Sequence, residues 1–249
     1  MTFFTRDRGL VVLSVLFLLL LWKALSLAVG SSHLLPGPEK VIADLGRLIS
    51  SGAFLGSVAA TLLRGSIGFL IAAILAVALG IPAGLNSDFN AFIRPVIVIT
   101  RSTPIIAFIL LALIWLPNTR VPIFIGILTM FPILCTAIID GVRNVDSRLP
   151  AMARVYRVSA MPTLFHLYFP AIIPYFFSGL SSAVGFGWRA VIIGEVLGQP
   201  DFGIGTMMQN AHLFLLADRV IAWTLVAVVV GYIFEAAVRL LELRIVKWQ

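Results

Sequence analysis

Four arginines, Arg143, Arg148, Arg154 and Arg157, are gathered in the stretch DGVRNVDSRLPAMARVYRVSAMPTLFHLYFPAIIP, residues 140 to 174, of a chain in which only 12% of residues are charged. Guanidinium groups here could meet acidic groups of a partner or anionic lipid headgroups. Leu149, Met152, Val155, Tyr156 and Met161 recur between them at roughly three- to four-residue steps. That spacing predicts a short amphipathic helix that could lie along a membrane face and touch a soluble partner. Three further arginines, Arg64, Arg101 and Arg189, stand inside apolar runs, where a charge is costly and marks a cavity, a partner or a snorkelling side chain. Arg64 and Arg101 lie near run ends and read as snorkelling. Arg189 lies deeper, with Glu195 six positions on as a possible partner, although helical spacing favours three or four.

The remaining reactive residues do not assemble a catalytic site. His33, His166 and His212 are too far apart in sequence to suggest a metal motif, and Ser181 and Ser182 have no neighbouring histidine base. No GxxxxGK[ST] phosphate loop is present, so ATP hydrolysis by that route is not expected of this chain. The single cysteine, Cys135, sits in an apolar run and reads as a small buried hydrophobe. The chain is therefore expected to be no enzyme by itself and to need no cofactor.

The elements that position these residues follow from composition. A chain of 249 residues that is 60% hydrophobic, with mean hydropathy +1.07, has too much apolar surface for a soluble domain. It is expected to be an all-α polytopic membrane protein of about six transmembrane helices. Apolar runs mark spans near residues 9–30, 59–85, 95–116, 121–139, 167–193 and 220–241, each long enough for a hydrocarbon core of about 30 Å. A cleavable signal peptide competes for the first, since Ser26-Leu27-Ala28 resembles a cleavage site. Residues 31–57 read as an external loop with a short surface helix from Val41 to Ile49, and residues 86–94 and 117–120 as short loops. One domain is expected: the first span and external loop over 1–57, core spans over 58–241 with a cytoplasmic loop at 140–167, and a tail at 242–249.

With the N-terminus inside, the cytoplasmic side carries Arg6, Arg8, Arg94, the four central arginines, Arg239, Arg244 and Lys247, against Lys40, Arg47, Arg120 and Arg219 outside. This asymmetry favours both termini in the cytoplasm. The same distribution accounts for the net charge of +7 without nucleic acid as a partner, since no basic patch is interleaved with exposed aromatics. Pro82, Pro104, Pro132, Pro170 and Pro174 predict kinked or broken spans. Gly80 with Gly84, and the run Gly179, Ser181, Ser182, Ala183, Gly185 and Gly187, permit close helix approach, within the chain or with another.

Residues 151–174, AMARVYRVSAMPTLFHLYFPAIIP, resemble the cytoplasmic EAA loop of binding-protein-dependent ABC importer permeases. Ala153 matches the third position of the triplet and Pro170 the terminal proline. Further matches are LPGPEKVIADL (35–45), TLLRGSIGFLIAAILAVALGIPAGL (61–85), RSTPIIAF (101–108) and GEVLGQPDFGIG (194–205). Together they are similar to the nitrate, sulfonate, taurine and bicarbonate branch of that family, with a type I importer permease fold. Ala151 stands where the family usually has Glu, and Arg157 where it usually has Gly.

The resemblance implies a permease subunit of the inner membrane that works with a cytoplasmic ATPase dimer, a second permease chain (the same or a related one) and an extracytoplasmic solute-binding protein. It implies a coupling helix at about 149–164, with Ala151, Ala153, Arg154, Arg157, Ser159 and Ala160 at the ATPase, and a solute path near Arg101, Thr103, Ser181, Ser182 and Arg189. The implied solute is small: a sulfonate, nitrate or a vitamin precursor. Two other readings compete. A secondary carrier or channel would need midplane carboxylates, for which only Glu195 and Glu235 are available, both close to span ends. A non-transporting membrane scaffold is the other.

Overall fold

A computed structural model of the protein describes the backbone of residues 3–245 and the side chains of residues 9–240. Arg6, Arg8, Arg244 and Lys247, which entered the orientation tally, have side chains outside the described residues, as does the 242–249 tail. The described residues form helices joined by short connections: α1 (Phe3–Val29), α2 (Pro38–Ile49), α3 (Gly52–Leu85), α4 (Ser87–Ser102), α5 (Ile105–Trp115), α6 (Val121–Arg143), α7 (Arg148–Val155), α8 (Ala160–Thr163), α9 (Phe169–Gly198), α10 (Ile204–Leu213) and α11 (Ala217–Ile245). Five helical segments are long and apolar enough to cross a membrane, or six if the bent α4/α5 pair is one span.

The core is α6, packed between α3 and α9. Small residues allow this. A Cβ on Gly80 of α3 would come within 3.0 Å of Ile138, and one on Gly84 would run into Val142. On the other side, Gly187 of α9 lies against Met130. The Gly80/Gly84 pair therefore serves packing within the chain. Leu134, Cys135 and Ile138 are fully buried at this junction, so Cys135 is part of the core. In contrast, α1 is exposed along its apolar length and touches the rest mainly through α2. Lys23, which interrupts its apolar run, pairs with Glu39 of α2. The Lys23 amine holds that carboxyl below its ordinary value.

Several segments differ from the sequence expectation. The stretch 86–94 is the start of α4. Asn86 caps it, its Oδ1 accepting from the Asp88 and Phe89 amides at 2.8 and 3.1 Å, so a polar run that resembles a loop is the first turn of a helix. The third apolar run is two helices bent by 99°. Pro104 disfavours helix for the residue before it, and Thr103 is extended (φ −75°, ψ 131°). Pro170 follows a milder irregularity: the turn before it, Leu164–Tyr168, is a π-helix, a form found mostly as a single wide turn within α-helices. Residues 204–213, outside every expected span, form the short helix α10. The surface helix is α2, pinned to α11 by a two-bonded Asp44–Arg219 pair at 3.3 Å.

Candidate functional site

Three charged regions can be built up from these elements. The first is a cavity of about 410 Å³ where the α4/α5 break opens against α6 and α9. Among the described residues, Arg101, in the last turn of α4, is the only charged side chain lining it, together with Thr100, Thr103, Thr129 and Ser182; the rest of the wall is apolar, including Phe108 and Phe186. The three threonine hydroxyls donate back to carbonyls of their own helix, Thr103 to Ile99 at 2.7 Å and Thr129 to Ile125 at 2.9 Å. A single guanidinium among hydroxyls and apolar walls suits a small anion that carries an apolar body.

Of the expected path residues, Arg101, Thr103 and Ser182 line this cavity. Arg189 lies outside it but stacks on its wall, with Cζ 5.9 Å from the Phe186 ring centroid. Ser182, Phe186 and Arg189 form one exposed stripe along α9, and Ser181 is half-buried beside it. On its other side Arg189 lines a second opening, of about 450 Å³, with Glu235 and Tyr232 of α11.

The second region is the arginine-rich segment. It is two helices rather than one: α7 closes at Val155, and α8 begins at Ala160. Closure follows a Schellman pattern, with Arg157 N–H bonded to the Arg154 carbonyl at 3.0 Å and Val158 N–H to the Ala153 carbonyl at 2.9 Å. The pattern places Arg157 in the left-handed region, φ 54°, the position that favours glycine. Ala151 and Ala153 are half-buried toward the body, and Arg154, Arg157, Ser159 and Ala160 are exposed. Val155 is 80% exposed and Tyr156 74%, so an apolar patch stands beside the arginines. Beneath it lies a hollow of about 500 Å³ whose lining includes Leu85, Ala153, Met161 and Tyr168.

The third region pairs charges that lie far apart in sequence. Glu195, at the end of α9, is fully buried, and its partner is Arg64, at 2.6 Å, not Arg189. Arg64 accordingly does not snorkel: its side chain is 12% exposed, and the same nitrogen also donates to the Phe202 carbonyl at 2.6 Å. Thr61, one turn before Arg64, donates to the carboxylate at 2.9 Å, and Gly205 N–H donates to it at 3.0 Å. The Thr61 oxygen accepts in turn from Ile204 N–H at 2.9 Å. The signal was present in TLLRG and GEVLGQPDFGIG, but nothing in either run names the other as its partner.

The chain matches the family model described as "binding-protein-dependent transport system inner membrane component" over residues 68–247. It is similar to the putative aliphatic sulfonates transport permease protein SsuC of Bacillus subtilis, 28% identical over 97% of this chain and 87% of that one. The Escherichia coli protein of the same description is 31% identical over 88% and 83%. The nitrate import permease protein NrtB of a Synechocystis strain is 28% identical over 92% and 86%.

Proposed function

The chain belongs to the binding-protein-dependent transport system inner membrane components, and from that premise we propose that it is the path-forming permease of an ATP-driven importer of small oxyanions, coupled to its ATPase through residues 148–163. Its membership makes it a multi-pass inner-membrane transport subunit that works with an ATPase and a binding protein. The finer reading is that two permease chains face each other across the α9 stripe, both termini are cytoplasmic, and α7 and α8 seat in a groove of the ATPase. The observation that carries it is the exposed α7–α8 segment, where Val155 and Tyr156 stand beside Arg154 and Arg157 with no partner for either surface among the described residues.

The missing family glutamate at Ala151 and the arginine at 157 give this coupling segment a cationic face. An acidic rim on the ATPase groove is its natural complement. At the other site, the Arg101 cavity suits a sulfonate best, since the apolar wall would take its alkyl body, with nitrate the smaller alternative; both solutes are named for the similar permeases.

The test is to co-express the chain with its neighbouring genes, solubilise it, and ask whether an ATPase co-purifies. The complex is then placed in proteoliposomes and its ATP-driven uptake of ethanesulfonate, nitrate and bicarbonate measured for wild type and Arg101→Ala. An associated ATPase, with uptake of one anion that Arg101→Ala lowers about 10-fold or more, is the expected result. Absence of any ATPase would remove the reading.

A further inference from the structure

The buried Glu195 network joins three elements, α9, α3 and α10, that also meet in an apolar cluster around Trp188 and Ile204. Its first member, α9, is a continuous helix of 30 residues, about 45 Å long at 1.5 Å per residue. It begins at Phe169, beyond the arginine-rich segment and the π-turn, and carries Glu195 in its last turn before Gly198. The second, α3, supplies Thr61 and Arg64 from one face. The third, α10, begins at Ile204, and its first two amides are satisfied by other elements: Ile204 N–H by Thr61 and Gly205 N–H by Glu195. No side chain of its own N-cap residue, Gly203, is available for this.

The turn is shaped to the carboxylate. A Cβ on Gly203 would sit 2.6 Å from the Glu195 carboxyl carbon, and one on Gly205 2.8 Å from the Glu195 Cβ. The Thr61 hydroxyl lies within bonding distance of both the carboxylate, at 2.9 Å, and the Ser57 carbonyl, at 3.2 Å, and its oxygen accepts from Ile204 N–H. Every donor around Glu195 therefore belongs to α3 or α10, while the carboxylate belongs to α9.

We propose that Glu195, clamped by Thr61 and Arg64, is the positioning residue that makes α10 move as one body with the far end of α9, so that displacement begun at the arginine-rich segment is delivered to the opposite face of the protein. The clamp itself follows from the geometry; its role in transmission rests on the importer reading. A charge-assisted, largely buried network of this kind holds one arrangement, because each alternative strands a buried charge or amide.

The experiment uses the full chain in nanodiscs, alone and with its ATPase. Exchange of the Ile204 and Gly205 amides is expected to accelerate about 10- to 100-fold in Glu195→Gln, the range for losing a hydrogen bond to a charged group. Glu195→Gln could strand Arg64 and fail to fold, so the double variant Arg64→Met/Glu195→Gln, which buries no unpaired charge, is measured beside it. Thr61→Ser, which keeps the hydroxyl, should exchange like wild type, and Thr61→Val should not. Unchanged exchange in the double variant overturns the clamp.

Transmission is read from spin labels at Leu197 and Asn210, both exposed, with Cys135 replaced by alanine. The wild-type separation should be the same in nucleotide-free and vanadate-trapped complexes, and should diverge on trapping in the double variant. A change in wild type, or none in the variant, overturns transmission. If the wild-type complex traps no nucleotide, the importer reading fails and transmission with it, while the exchange measurement still decides the clamp.

Discussion

The Arg64–Glu195 clamp and the Arg148–Arg157 segment use the same side-chain chemistry to opposite ends. In the clamp a guanidinium is spent inside the chain: it meets a carboxylate and a backbone carbonyl, and each neighbouring amide finds an acceptor. In the segment, Arg154 and Arg157 are exposed beside Val155 and Tyr156. A charge closed on its own fold governs stability and rigidity, whereas a charge left open beside apolar surface is available to another molecule. Number and type of charged residues do not separate the two cases; only the partner does.

That contrast can be broken first at Arg64. Arg64→Ala leaves Glu195 buried without its cation and should destabilise the chain by about 3–5 kcal/mol, seen as a loss of thermal stability in detergent. A shift no larger than that of a surface substitution would make the clamp an ordinary contact. The converse test is Arg154→Glu/Arg157→Glu. It should change the chain's own stability by no more than about 0.5 kcal/mol, while lowering uptake per ATP hydrolysed roughly 10-fold, the effect of turning an attractive contact into a repulsive one. Unchanged coupling would sink the docking role of these arginines.

A smaller effect tests the backbone rather than the charge. Arg157→Gly relieves a left-handed residue and should stabilise the segment by about 1 kcal/mol, measured as slower proteolysis between α7 and α8. Because it also removes a cation, comparison with Arg157→Asn, which tolerates the same φ, separates conformation from charge. The smallest expected change is at Ser57, one turn before Thr61; the Ser57 hydroxyl is buried with no hydrogen-bond partner among the described residues. Ser57→Ala should be neutral or stabilising by up to about 1 kcal/mol, whereas Thr61→Ala should not. Equal effects at the two positions would mean that the network's bonds contribute little.

Much of the fold was legible from one-dimensional patterns. The apolar runs located the spans because a helix that faces lipid must be apolar over its whole length. Pro104 marked the α4/α5 break because it acts on the residue before it, and Pro170 follows the π-turn, whereas Pro82, Pro132 and Pro174 lie inside helices that run on through them, so proline alone did not say which span would break. The arginine-rich segment was legible because exposure and periodicity are local as well, and the unusual Arg157 coincides with its single left-handed turn. Polar helix ends were less legible: Asn86 to Arg94 has a loop's composition but a capped helix's geometry, and α10 is too short and too mixed for a hydropathy signal.

The sequence by itself determined that this is a helical membrane protein with no phosphate loop of its own, and that its arginines fall into open and membrane-embedded groups. Hydropathy and motif spacing are properties of neighbouring residues, so they survive without coordinates. Tertiary structure alone decided that Arg64, rather than Arg189, meets Glu195, 131 positions away, and that Arg189 instead lies on Phe186 beside the Arg101 cavity. Such pairings depend on which faces of α3 and α9 turn toward α10. That orientation is set by how glycines such as Gly84 and Gly187 seat both helices on α6, and no local pattern encodes it.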